Sequence, residues 1–281
     1  MIGDRRIANY SERHLAGSSR FLPSGPMLTG LHVTPGGCLR GSITDRRDFY
    51  HQCATSWERS SSQLLPFSFP LECFSGTRAY DDFLDFRART SATSREVAGD
   101  RLGLEPKKKR GKKELPGAVH PAFSALYQGD HLGVEYALGA HEGLLAIEGL
   151  LPMEERIVGR APLPEGPVWR GLIIDDFFVI TSEKEELHYD QTMAFKILEE
   201  ARSAYDRHHL PGSVEKDAVA SRLFKAAGAE IDSRCEVTSR KMTLVGAPLA
   251  KRIGLASLSL RIASMAGITP SLAARLSGGW V

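Results

Sequence analysis

Two adjacent aspartates, Asp175 and Asp176, stand between two apolar, β-rich runs. The first run holds Val168, Trp169, Leu172, Ile173 and Ile174; the second holds Phe177, Phe178, Val179, Ile180 and Thr181. This spacing predicts a hairpin whose two-residue turn is the Asp pair. Aspartate is a common turn residue, so an exposed turn would need no further explanation. The flanking runs, however, scarcely alternate with polar residues, so both faces of the hairpin are expected to be covered. The turn then lies in a groove, where carboxylates packed this closely need a cation. Asp45 offers a third carboxylate, at the end of an extended run from Leu39 to Thr44 and just before Phe49 and Tyr50. Three carboxylates on two neighbouring strands are the ligand set of a two-magnesium phosphoryl-transfer site. The ions in such a site lie roughly 3.5–4 Å apart and clamp the attacking and leaving oxygens. Substrate phosphates and water complete their coordination.

Several elements are predicted to position these groups. From Gly133 to Leu151 the residues Val134, Leu138, His141 and Leu145 share a helical face. His141 is expected to be a satisfied core histidine. Its neighbour Glu142 suggests a zinc-protease helix, but position 145 is Leu and the second histidine is missing. An amphipathic helix over about 189–209 carries Ala194, Ile197, Leu198, Ala201 and Tyr205 on one side and ends at Leu210-Pro211-Gly212-Ser213. A short strand pair surrounds Gly228-Ala229-Glu230-Ile231-Asp232, and Leu249, Ile253, Ala256, Leu260 and Ala263 fall at helical spacing. Thr269-Pro270 reads as an N-cap followed by proline at the first helical position. The end at Trp280-Val281 falls inside an apolar helical pattern, as expected of a truncated chain.

Residues 76–118 lack sustained periodicity and read as a mobile insertion with little core. They contain the densest charge in the chain, Lys107 to Lys113. That run suits a solvated loop, a nuclear import signal, which Pro106-Lys107-Lys108-Lys109-Arg110 resembles, or a phosphate-backbone contact.

Composition narrows the class. The chain has 281 residues, is 42% hydrophobic and 25% charged, and carries a net charge of only +2. This excludes a wholly disordered chain, a collagen and a coiled-coil rod. No apolar run approaches the roughly 18 residues of a membrane span, and no apolar segment follows the charges of the first residues, so an intracellular chain with no membrane partner is expected. Cys38, Cys53, Cys73 and Cys235 are scattered, which indicates free thiols rather than a disulfide scaffold. Gly25 to Gly30 has P-loop glycine spacing, but Leu31-His32 replaces the required Lys-Ser/Thr.

The carboxylates belong to a longer ordered set. Thr44-Asp45-Arg46-Arg47-Asp48-Phe49-Tyr50-His51 comes first, then Tyr127-Gln128-Gly129-Asp130-His131-Leu132-Gly133, then Ile173-Ile174-Asp175-Asp176-Phe177-Phe178. An amphipathic helix, a Gly-Ser-x-x-Lys loop ending at Lys216 and the segment Gly228 to Asp232 follow. In this order the set resembles the palm of retroelement reverse transcriptases, and Asp4 to Asn9 is similar to the end of that family's fingers. The resemblance implies an α+β fold: a reverse-transcriptase palm, a small antiparallel sheet backed by helices on one face with the carboxylates on the other, plus partial fingers and a short helical thumb. It divides the chain into partial fingers (1–40), palm (41–75), the basic insertion (76–118), palm continuing to the primer grip (119–240), and thumb with the start of the connection (241–281).

The resemblance also implies roles. Asp45, Asp175 and Asp176 would be catalytic and hold two Mg²⁺ ions, with Mn²⁺ as a substitute, and Lys216 would protonate the departing pyrophosphate. Arg46, Arg47, Asp48 and Phe49 would line the triphosphate through their backbone, Tyr50 would be the steric gate against a ribose 2′-hydroxyl, and Gln128 and Gly129 would lie near the nucleotide and template. Ala227 and Gly228 would grip the primer end. The expected activity is RNA-directed DNA polymerisation, with an RNA template, a DNA primer and dNTPs as partners. The alternative is a degenerate, catalytically inactive retroelement fragment that only binds nucleic acid. The aromatic Tyr50 argues against an RNA-synthesising polymerase. This chain departs from the family at Ile173, where a tyrosine is usual, and at Tyr127, where a proline is usual.

Overall fold

In a computed structural model the chain is described at residues 9–10, 12–13, 15–65, 67–100, 116–265 and 267–280. The basic run Lys107–Lys113 and the opening residues Asp4–Ala8 lie outside these. In chain order the strands are β1 (Gly37–Asp45), β2 (Phe69–Pro70), β3 (Ala118–Val119), β4 (Val168–Ile173), β5 (Asp176–Lys184), β6 (Ala218–Ser221), β7 (Leu223–Ala226), β8 (Ala229–Asp232) and β9 (Leu244–Gly246). The longer helices are α1 (Arg78–Asp100), α2 (Gly133–Ile147), α3 (Met193–Arg207), α4 (Leu249–Ala263) and α5 (Pro270–Trp280). The chain divides into two compact units, Ala54–Ala125 and Met1–Cys53 with Leu126–Val281.

The larger unit is built on a four-stranded antiparallel sheet of order β4-β5-β1-β6. Strand β5 is central, and every residue from Phe177 to Ser182 is buried. Alternate side chains of a strand point to opposite faces, so a strand covered on both faces reads as a continuous apolar run. Here Phe177 and Val179 pack with Leu138 and Leu145 of α2 and Ile197, Ala201 and Tyr205 of α3. Phe178 and Ile180 point the other way and pack with Trp169, Phe224 and Ile231. The last two belong to a second, three-stranded sheet of order β7-β8-β9. The fold is therefore α+β, with small antiparallel sheets backed by helices. Each of these large apolar side chains contributes roughly 1.5–3 kcal/mol on burial.

Two glycines let the rings into this layer. The Phe178 ring occupies the space that a Cβ at Gly171 would need, and the Phe224 ring does the same at Gly41. Gly171 is the cross-strand partner of Phe178. That pairing fixes the hairpin register and moves the turn one residue from its expected place. The tip is Ile174-Asp175, closed by the Ile173–Asp176 pair, and Asp176 already belongs to β5. With Asp175-Asp176 at the tip, Phe178 would face Ile173 instead of glycine. Ile174 takes the left-handed conformation (φ 53°), which a β-branched residue rarely adopts.

The predicted helices of this unit form; α2 and α3 are shorter than expected, and α4 spans Leu249–Ala263 as the spacing indicates. Thr192 caps α3 by accepting a hydrogen bond from the Phe195 N–H (3.3 Å), and Thr269 caps α5 by accepting from Leu272 (3.2 Å). The expected strand pair is β7–β8. Its two-residue tip, Ala227-Gly228, has positive φ at both positions (49° and 80°), as type I′ hairpin turns require.

In the smaller unit the short ladder β2–β3 pairs Phe69 with Val119. Helix α1 occupies much of the stretch whose pattern suggested no sustained element. No side chain from Arg78 to Arg89 is buried, so this part of the helix offers no buried stripe for a periodicity reading to find. It rests on a Thr77 cap (Tyr80 N–H to Oγ1, 3.3 Å) and on i,i+4 pairs such as Arg78–Asp82 (3.8 Å). Among the described residues no helix is long and apolar enough to cross a membrane.

Candidate metal centre and active site

Strand β1 runs antiparallel beside β5 in a ladder of nine pairs, and the last pair is Asp45–Asp176. Strand alternation puts Asp176, like Phe178 and Ile180, on the face turned away from α2 and α3. Asp175 follows from the hairpin tip, whose carbonyl accepts a hydrogen bond from the Arg46 N–H (3.1 Å). The carboxylates of Asp45, Asp175 and Asp176 thus converge, each with an oxygen within 4.8 Å of the others, and all three residues are only partly exposed.

Convergence costs energy. Burial, then the charges of Asp175 and Asp45, push the Asp176 carboxyl up to about 6. Burial, together with the Asp45 charge, also raises Asp175. A divalent cation would reverse both effects. The donor set is all oxygen and anionic, as a hard cation such as Mg²⁺ requires.

Lys216 stands at the end of a one-turn 3₁₀ segment, Val214–Lys216, that leads into β6. Its Nζ lies 2.8 Å from Asp45 Oδ2, while the lysine side chain itself is largely exposed. The Asp45 contact raises the Lys216 pKa. The segment is pinned at the next residue, where Arg202 of α3 donates to Asp217 Oδ2 from Nη2 (2.7 Å) and Nε (3.2 Å). The Ser213 N–H also donates to the Asp45 carbonyl (3.0 Å).

The other expected site residues fall as follows. The Arg46 side chain is turned into the core, 4% exposed, with its guanidinium 3.8 Å over the Tyr205 ring and Nη1 donating to the Leu210 carbonyl (2.9 Å). Only its backbone is left to face a ligand. Arg47 and Asp48 are exposed, and Asp48 has φ 47°. Phe49 is buried against Leu126 and Ala137. Tyr50 is half-buried beside this cluster; burial first, and the Asp175 charge second, raise its pKa. Its ring also runs close to Gly133, where a Cβ would approach to 3.3 Å. Gln128 is partly exposed, and the Gly129 carbonyl accepts from Asn9 Nδ2 (2.8 Å). Ala227 and Gly228 cap the β7–β8 hairpin, in a different sheet from the carboxylates.

The structure adds residues that spacing did not single out as functional. His141 is buried, and Nδ1 lies 2.8 Å from the Ile174 carbonyl and Nε2 2.7 Å from the Tyr205 hydroxyl. The expectation of a satisfied core histidine holds, but its partner is the turn that carries Asp175. Glu12, Asp130 and His131 also bring ligand-type atoms within 4.8 Å of one another. Glu12 is remote in sequence from the adjacent Asp130 and His131, and no metal-ligand spacing links the three. No protein-family model matches the chain, and no curated protein sequence matches it.

Proposed function

We propose that this chain is the polymerase core of a retroelement reverse transcriptase, an RNA-directed DNA polymerase. The observation that carries the reading is the convergence of Asp45, Asp175 and Asp176 at one end of an antiparallel ladder, with Lys216 on Asp45. In this reading the fold is a palm, and Asp45, Asp175 and Asp176 would hold two Mg²⁺ ions. Bound there, the ions supply charge neutralisation at the α-phosphate and at the leaving oxygen. The primer 3′-hydroxyl gives up its proton to solvent as its oxygen attacks the α-phosphorus in line, a new P–O bond forms, and the bond to the bridging β-phosphate oxygen breaks.

The chain's own groups do the rest. Lys216, held 2.8 Å from Asp45 and an ammonium at neutral pH, delivers a proton to the departing pyrophosphate. Tyr50, half-buried beside the Phe49 cluster, excludes a ribose 2′-hydroxyl. The backbone from Arg46 to Phe49 lines the triphosphate, and the core packing of the Arg46 side chain keeps that backbone in position. Gln128 and Gly129 border the nucleotide and template, and the Ala227-Gly228 tip supports the primer end.

Primer extension on an RNA template with dNTPs and Mg²⁺ tests this. Wild type should extend, and chelation or Asp175→Asn should abolish extension while the protein stays folded. Tyr50→Ala should admit ribonucleotides. Extension indifferent to Asp175→Asn or to chelation, or no extension at all, would refute it.

A second reading, a fragment that only binds nucleic acid, is favoured by one feature. After Glu236 no acidic residue follows, while Arg240, Lys241, Lys251, Arg252, Arg261 and Arg275 do. Under that reading template binding weakens steeply with salt, and neither Mg²⁺ nor Asp175 matters to it.

A further inference from the structure

Beneath the carboxylates runs a closed ring of buried contacts. Asp45 is followed by Arg46, whose guanidinium lies 3.8 Å over the Tyr205 ring. The Tyr205 hydroxyl meets His141 Nε2 at 2.7 Å, and His141 Nδ1 meets the Ile174 carbonyl at 2.8 Å. Ile174 precedes Asp175, and the Asp175 carbonyl accepts from the Arg46 N–H at 3.1 Å, which closes the ring. The proton positions follow from the acceptor. A carbonyl can only accept, so His141 carries its proton on Nδ1, and Nε2 accepts from the tyrosine hydroxyl.

Ile174 needs such a holder. Its φ of 53° is unfavourable for a β-branched residue and persists only where its surroundings impose it. The His141 bond is to the carbonyl of this residue, on the helix side of the sheet. On the other face, Asp176 and Asp45 are a cross-strand pair. A relaxed turn would swing Asp175 away from that pair.

We propose that His141 and Tyr205 are positioning residues: they hold the Ile174-Asp175 turn in the conformation that brings Asp175 against Asp45 and Asp176. Neither residue touches substrate. The proposal deepens the polymerase reading and rests on it for its functional meaning, but the geometry can be tested separately.

The test compares wild type with Tyr205→Phe, His141→Phe, Ile174→Gly and the pair His141→Phe/Ile174→Gly. Two quantities are read below the unfolding temperature: hydrogen exchange of the Arg46 amide in metal-free protein, and Mn²⁺ affinity by electron paramagnetic resonance. Tyr205→Phe and His141→Phe should each speed Arg46 exchange about tenfold more than that of core amides in α3, and weaken Mn²⁺ about tenfold, the lower range for groups that orient ligands. Glycine tolerates the left-handed turn, so Ile174→Gly should largely rescue His141→Phe. Unchanged Arg46 exchange, a loss of protection spread evenly over the molecule, or strictly additive effects in the pair would overturn the proposal. If His141→Phe fails to fold, Tyr205→Phe decides by the same measures. A wild type that binds no Mn²⁺ would refute the polymerase reading, and the exchange data would still decide this one.

Discussion

At the scale of single residues, the buried His141 and the partly buried Asp176 have pKa values shifted in opposite directions in the metal-free protein. Burial holds His141 down to about 4, first through desolvation and further through the charge of Arg46. Its folded pKa lies below the ordinary 6.5, so the unfolded chain binds the extra proton between these values. This group's stabilisation, about 3 kcal/mol, is present above pH 6.5 and lost as pH falls towards 4. Asp176 is raised from 3.8 to about 6, so its contribution is present below 3.8 and lost as pH rises through 6. Chemical denaturation in a chelator should therefore give a shallow pH dependence from these two groups between pH 4 and 6. Asp176→Asn should leave a slope that rises with pH, and His141→Phe one that falls with pH. Identical profiles for the three proteins would contradict both assignments. Much of this scale is visible in the sequence: Asp45, Asp175 and Asp176 stand out by type and company. The buried fate of Arg46 does not, because the Tyr205 ring that receives it is 159 positions away. Lys216 is singled out only through the family resemblance, since an isolated lysine in a loop has no signature of its own.

At the scale of elements, the continuous apolar runs of β4 and β5 correctly imply cover on both faces, and helices α2 and α3 emerge from their periodicity. The turn lies one residue early because register depends on which residue leaves room for Phe178, and that is a cross-strand fact. Gly171→Ala would force the Phe178 ring to move, and overpacking of this kind costs about 1–3 kcal/mol. Urea denaturation should show that loss with an unchanged m-value; a wild-type midpoint would mean the ring adjusts freely. Thr192→Ala removes the α3 cap and should cost about 1 kcal/mol by the same measurement. Helix α1 escapes a periodicity reading for the opposite reason, because no buried stripe marks it from Arg78 to Arg89 and its contacts there are local.

At the scale of the whole molecule, residues 54–125 form a compact unit inserted between Cys53 and Leu126. Its ends meet at an Ala54–Ala125 bridge, and in the larger unit the Leu126 N–H donates to the Cys53 carbonyl (2.9 Å). Replacing 54–125 by a short glycine-serine linker should leave a chain that unfolds cooperatively and keeps its carboxylate cluster. A molten chain, with secondary structure but no sharp transition, would contradict this division. The most direct measurement on the intact chain is Mn²⁺ titration followed by electron paramagnetic resonance, with Mg²⁺ as competitor. The account predicts saturable binding of Mn²⁺ at the cluster that Mg²⁺ displaces, lost in Asp45→Asn and in Asp175→Asn. Saturable binding that survives both substitutions, or no saturable binding by the wild type, would contradict it.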